Sequence, residues 1–169
     1  MDSLNLSLLF KIEKHPFPLS DEKREEILQN PGFGQFFTDH MVIIKWNEDK
    51  NWHDAAISQY KSLEISPASV ILHYAQGIFE GLKAYRAKDG RILLFRPDAN
   101  AQRFVESAKR LAMPELPKDI FLDAVKQLVK IDQKWISDHP NASLYLRPFM
   151  FGNDSILKVH PSREYIFVS

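Results

Sequence analysis

The sequence predicts an α+β fold, with a mainly antiparallel β-sheet and flanking helices packed on it. Three observations carry that expectation. Asp89-Gly90 separates the apolar runs 82–87 and 92–95, a strong hairpin signal. Short apolar runs of strand length recur at 41–46, 144–151 and 165–168. Two helical patterns stand next to each other between them instead of alternating singly with strands.

In chain order, Leu4, Leu6, Leu8, Phe10 and Ile12 alternate with polar residues, Leu9 excepted, which predicts a half-buried strand. There is no basic flank or small-residue cleavage site to make this a signal peptide. His15-Pro16-Phe17-Pro18 is extended, because each Pro biases its predecessor away from helix. Ser20 then caps a short helix through Glu22, Glu25, Ile27 and Leu28, which Asn30-Pro31-Gly32 ends. Phe33, Phe36 and Phe37 ride on a Gly-flanked backbone. Strands are expected at Met41–Trp46 and Ala56–Ile65 around the turn Asn47–Asn51. A short helical piece starts at Ala68. In His73–Tyr85, Gly77 and Gly81, which allow a positive φ and the close approach of another group, bracket a bent Ile78-Phe79-Glu80 that opens into a strand at Leu82.

Ala101, Phe104, Val105, Ala108, Leu111 and Ala112 recur at helical spacing, leaving Arg103, Ser107 and Arg110 on the polar face. A second helix is expected from about Asp119 to Ile136. In the strand Leu144–Phe151, Tyr145, Arg147, Phe149 and Phe151 face one way and Leu144 and Leu146 the other. Pro148 marks it as an edge or bulged strand. The apolar ending Tyr165–Val168 is one more strand, expected at an exposed edge that would invite aggregation.

Composition narrows the function. The 169 residues carry 22 basic and 22 acidic side chains, so charge gives no reason to expect nucleic acid or an anionic membrane as partner. No apolar run reaches the ~18 residues of a membrane helix, and a cytoplasmic protein is expected. With no cysteine, thiolate metal sites, disulfides and cysteine nucleophiles are excluded. His15, His40, His53, His73, His139 and His160 show no metal-ligand spacing, and no metal is expected. G-x-S-x-G, G-x-G-x-x-G and the P-loop are absent.

The segment 73–85 crowds rings, an imidazole, an acid and a lysine into a few positions, and reads as either a packed helix-to-strand junction or part of a site. Arg147, beside Tyr145 and two phenylalanines, suits carboxylate recognition or an exposed ion pair on a sheet edge. Arg103 suits a solvated helix face or an anion contact.

Four ordered stretches resemble the branched-chain amino acid aminotransferases, pyridoxal-phosphate enzymes of fold type IV. They are Phe33-Gly34…Phe37-Thr38-Asp39-His40-Met41, His73-Tyr74…Phe79-Glu80-Gly81-Leu82-Lys83-Ala84-Tyr85, Leu94-Phe95-Arg96-Pro97 and Ser143-Leu144-Tyr145-Leu146-Arg147-Pro148. The resemblance runs from about Gly32 to the C-terminus. It implies a domain organisation of 1–31 as an N-terminal strand, Pro-rich segment and short helix, and 32–169 as the small substrate-contacting domain.

The same resemblance implies pyridoxal 5'-phosphate as cofactor, with Arg103 on its phosphate. Phe33, Tyr74 and Phe79 would form the wall that receives a branched aliphatic side chain. Tyr145 and Arg147 belong to the same pocket, the arginine accepting glutamate's distal carboxylate. Leu157 and Val159 would reach the pocket of a neighbouring subunit, implying a homodimer. The implied reaction exchanges an amino group between leucine, isoleucine or valine and 2-oxoglutarate, giving glutamate.

In that family the Schiff-base lysine lies in a second, C-terminal domain. It is therefore expected beyond Ser169, with Lys83 not its counterpart, no catalytic residue among these 169, and the chain alone inactive. The alternative is a free-standing, non-catalytic small domain used for binding or dimerisation.

Overall fold

The protein is described here from a computed structural model, in which residues 8–139 and 142–169 are described. Leu4, Leu6 and Asn141 lie outside them. The elements in order are β1 (Lys11–Ile12), α1 (Asp21–Gln29), β2 (His40–Asn47), β3 (Asn51–Gln59), α2 (Val70–Tyr74), β4 (Gly77–Phe79), β5 (Leu82–Arg86), β6 (Ile92–Leu94), α3 (Pro97–Arg110) and α4 (Lys118–Ile131). A 3₁₀ turn at Gln133–Trp135 precedes β7 (Leu144–Leu146), β8 (Phe149–Gly152) and β9 (Glu164–Val168).

Two sheets form. The larger has the order β1-β3-β2-β9-β8-β4, with only β1 parallel to its neighbour. The smaller has the order β6-β5-β7 and is antiparallel throughout. The α+β class is therefore the one the sequence predicts.

Both faces of the larger sheet are covered. Val42, Ile44, Ile57, Met150, Tyr165 and Phe167 point into the main core against α3 and α4. There Phe104, Phe121 and Phe167 meet with centroids 5.3 to 6.0 Å apart. Met41, Phe151 and Val168 alternate to the other face and form a second, smaller cluster. Burial on both faces explains why β2 and β9 are nearly continuous apolar runs.

Six expectations need correction. Among the described residues the N-terminal strand is only Lys11–Ile12, both exposed, and not a half-buried run. The second strand runs from Asn51 to Gln59, not Ala56 to Ile65. It pairs with β2 from the hairpin turn onward and stops where β2 begins, at the His40–Gln59 pair. The second long helix ends at Ile131, and Trp135 and Ile136 fill the core from the 3₁₀ turn and its exit. The helical piece after Ala68 is only Val70–Tyr74, closed by Ala75 in the left-handed region, so 77–79 is strand.

The run 144–151 is not one strand. It breaks at Arg147-Pro148 and passes from the small sheet to the large one, because Pro148 has no N–H to continue a ladder. Finally, Glu164–Val168 is not an edge: it lies between β2 and β8, with Tyr165, Phe167 and Val168 buried.

The segment before β2 is tied to the body at several points. Ser20 caps α1 by accepting from the Lys23 amide, and the buried Arg24 pairs with Asp21. Asp39 accepts from the Leu19 amide at 2.9 Å and from the Trp135 indole at 2.7 Å. The buried His40 ring meets Asp132 Oδ1 through Nδ1 at 2.6 Å and accepts the His15 amide at Nε2 at 2.9 Å. An N–H aimed at Nε2 places the ring proton on Nδ1. Thr38-Asp39-His40 is thus a structural knot that holds the chain leading into Phe33.

Candidate functional site

Two left-handed glycines, Gly32 (φ +61) and Gly34 (φ +70), hold a turn that projects Phe33 outward, 71% exposed. Its ring meets the edge of Tyr145 at 5.2 Å between centroids. Tyr145 lies on β7, opposite Lys83 of β5. Its hydroxyl oxygen accepts from Arg147 Nε at 3.2 Å and Nη2 at 3.0 Å. The Arg147 guanidinium in turn covers the Phe79 ring at 4.5 Å from its centroid. Phe79 is directly opposite Phe149 in the β4–β8 ladder, so the two rings share one face of the sheet.

Four of the sequence-predicted residues, Phe33, Phe79, Tyr145 and Arg147, are therefore joined by contact into one surface. It presents aromatic area around a single guanidinium. That combination favours an aliphatic group against the rings and a carboxylate at the cation.

Gly81 and Gly77 were expected to allow a positive φ or the close approach of another group, and neither has positive φ. They are needed for close approach. A Cβ on residue 81 would collide with the Tyr145 hydroxyl, and one on residue 77 would lie 3.0 Å from Ile71 Cδ1 and 3.3 Å from the Met150 carbonyl. Glycine is the residue that lets a neighbour approach this closely.

Tyr74 and Leu157 form a separate pair. The Tyr74 hydroxyl donates to the Leu157 carbonyl at 2.5 Å, fixing the ring to that loop. The nearest ring to Tyr74 is His73, not Phe33 or Phe79. Leu157 and Val159 are 61% and 76% exposed.

Arg103 sits in the second turn of α3. Its Nε and Nη2 donate to Glu80 Oε1 and Oε2 at 2.9 and 2.8 Å. Burial would push the Glu80 carboxyl up. Hydrogen bonds from Arg103 and Asn100, with the Arg103 charge, outweigh it and hold the carboxyl below its ordinary value. The Glu80 contact raises Arg103 further. Arg103, Lys83 and Arg96 line one groove of about 270 Å³ with Tyr85 and Phe95. Three cations there suit an anion, and the aromatic flanks suit a flat ring.

A larger groove of about 450 Å³, between β6 and α4, is lined by Ile92, Leu94, Lys126, Val129 and Lys130 and contains none of the predicted residues.

Sequence reasoning gave Glu80 and Asn100 no role. The available signals were an acid set just before a glycine in the crowded segment, and the Asn100–Arg103 spacing that puts both on one helix face.

No family model matches the chain. Over 152 residues it is 54% identical to the probable branched-chain-amino-acid aminotransferase of Streptomyces coelicolor, covering 89% of this chain and 42% of that protein. Over 162 residues it is 47% identical to the branched-chain-amino-acid aminotransferase of Mycolicibacterium smegmatis, covering 95% of this chain and 44% of that protein. The chain thus spans less than half the length of these curated relatives. Among solved structures, the branched-chain amino acid aminotransferase of Thermobaculum terrenum in its PLP-form (holo-form) superposes with a TM-score of 0.54. That match has 19% identity and covers 77% of this chain and 38% of that one. At this identity the match establishes a shared fold.

Proposed function

Since the chain is a homologue of the branched-chain-amino-acid aminotransferases, we propose that it is the substrate-contacting part of such an enzyme. The reaction would exchange an amino group between leucine, isoleucine or valine and 2-oxoglutarate. The observation that carries the reading is the contact chain Phe33–Tyr145–Arg147–Phe79.

These side chains can meet two opposite demands in turn. A branched aliphatic group covers the exposed rings and gains by leaving water. With such a substrate bound, Arg147 keeps the Tyr145 hydroxyl and the Phe79 ring as partners, so the cation is not left bare. With glutamate bound, the same guanidinium turns its remaining N–H groups to the distal carboxylate. The α-amino end is common to all these substrates.

Pyridoxal phosphate fits the donor set of the groove that Arg103, Lys83 and Arg96 line. The Arg103 guanidinium is 57% exposed in its side chain, and Lys83 and Arg96 add positive charge to its groove. Arg103 would hold the phosphate, and when bound the cofactor supplies an electron sink for the substrate's α-carbon. Phe79 and Glu80 are consecutive, so the end of β4 would fix the substrate wall and the phosphate contact together. In this reading the lysine that carries the cofactor belongs to a part of the enzyme outside these residues, which by themselves would not transaminate.

Tyr74 is tied to Leu157, and Tyr74, Leu157 and Val159 are all exposed. In this reading they complete the pocket of a second copy, which makes the working form a homodimer. Among the described residues no helix is long and apolar enough to cross a membrane.

The test is glutamate formation from 2-oxoglutarate by the complete gene product that contains these residues. Leucine, isoleucine and valine should serve as donors, and aspartate and alanine should serve poorly. A preference for aspartate, or no transfer, would remove the proposal.

A further inference from the structure

We propose that Glu80 is a positioning residue for Arg103, fixing which edge of its guanidinium an anion meets; this deepens, and rests on, the reading of Arg103 as the phosphate contact.

Four donors converge on the Glu80 carboxylate. Arg103 Nε donates to Oε1 at 2.9 Å, and Arg103 Nη2 donates to Oε2 at 2.8 Å. Asn100 Nδ2 reaches Oε2 at 2.8 Å and the Gly81 amide reaches it at 3.3 Å. Asn100 also donates to the Gly81 carbonyl at 3.1 Å, which locks the far side of the clamp to the β4–β5 link. The acid is nearly enclosed, with its side chain 10% exposed, while the arginine side chain is 57% exposed. The anchor is inside and the cation outside.

The clamp consumes one complete edge of the guanidinium. Among the described residues Nη1 has no protein partner, so the free N–H groups are the two of Nη1 and the second of Nη2, all directed away from the clamped edge. An unclamped arginine on a helix surface samples many rotamers, and binding an anion must suppress them. A bidentate clamp removes that freedom before the anion arrives. The held-down Glu80 carboxyl and the raised Arg103 agree with a pair that stays charged throughout the neutral range.

Electrostatics and positioning predict opposite signs, which makes the proposal testable. A carboxylate touching Arg103 cancels part of its charge. If that were all Glu80 did, the neutral variant Glu80→Gln would bind an anion more tightly. Gln cannot accept on both atoms, so it breaks the bidentate clamp while nearly preserving shape. If positioning dominates, Glu80→Gln binds a phosphate ester more weakly.

The experiment titrates the cofactor-free complete gene product with pyridoxal 5'-phosphate and, separately, with pyridoxal, following absorbance and protein fluorescence. The expected result for Glu80→Gln is a Kd for the phosphate ester raised about tenfold, the size of one charge-assisted contact. Pyridoxal affinity should be unchanged, and Glu80→Asp should recover part of the loss. Unchanged or tighter phosphate-ester binding in Glu80→Gln, with weakened binding in Arg103→Ala, would overturn the role of Glu80 and leave the Arg103 reading standing. Unchanged binding in Arg103→Ala would overturn both. Equal weakening for the two ligands in Glu80→Gln would also overturn the proposal, since it signals local collapse.

Discussion

The Tyr145 hydroxyl occupies the space that a Cβ on Gly81 would need. Gly81 closes the segment that delivers Phe79 and Glu80, and Tyr145 holds Arg147, so one missing methyl group links the two halves of the proposed site. Gly81→Ala is expected to push the Tyr145 ring away and free Arg147 from its two hydrogen bonds. Overpacking of this kind costs roughly 1–3 kcal/mol. Urea unfolding should show that loss. A variant as stable as the parent, with an unshifted Tyr145 in its structure, would contradict the close-approach account.

Glu80 gives a pH signature. Its folded value lies below the ordinary 4.5, despite burial, because of its Arg103 and Asn100 hydrogen bonds and the Arg103 charge. A lowered carboxylate contributes stability that is full above the ordinary value and lost as pH falls through the folded one. The stability difference between the parent and Glu80→Gln should therefore be constant at neutral pH and shrink below about pH 4.5. A difference that grows on acidification would have the wrong sign.

Asp132 is buried at 3% exposure and bonds both the ring and the amide of His40. Asp132→Ala leaves two buried donors without a partner, which should cost about 3 kcal/mol. Because His40 also accepts the His15 amide, residues 13–20 should lose hydrogen-exchange protection in the same variant. Protection unchanged there would show that the knot does not hold that segment.

Much of the fold could be read along the chain because it is local. The Asp89-Gly90 hairpin, the Ser20 cap and the apolar stripe of α3 each depend on residues a few positions apart. Gly90 alone takes the left-handed conformation in that hairpin (φ +83), so the signal worked through one residue and not two. What the chain hid depends on distant partners. Leu144–Phe151 alternates like one strand, and only its different neighbours, β5 for the first half and β4 and β9 for the second, reveal that Pro148 is a crossing between sheets. The ending Tyr165–Val168 looked like an open edge because its partners lie 100 or more residues earlier in β2, and beside it in β8.

The site was legible as a set of residue types and less so as an arrangement. Phe33, Phe79 and the Tyr145–Arg147 pair come together from three separated places in the sequence. Tyr74, close to Phe79 in sequence, is instead tied to Leu157. The Glu80–Arg103 clamp spans 23 residues, from the β4–β5 link to α3, and no local pattern encodes it.

Arg147 decides the central claim, that one surface serves both aliphatic and acidic substrates. The measurement is kcat/KM for leucine and for glutamate in the complete gene product and in its Arg147→Met variant, which keeps the apolar stem and removes the cation. The glutamate value should fall at least about tenfold, the worth of one lost charge-assisted contact, while the leucine value stays within about threefold. Equal losses for both substrates, or an undiminished glutamate value, would contradict the account.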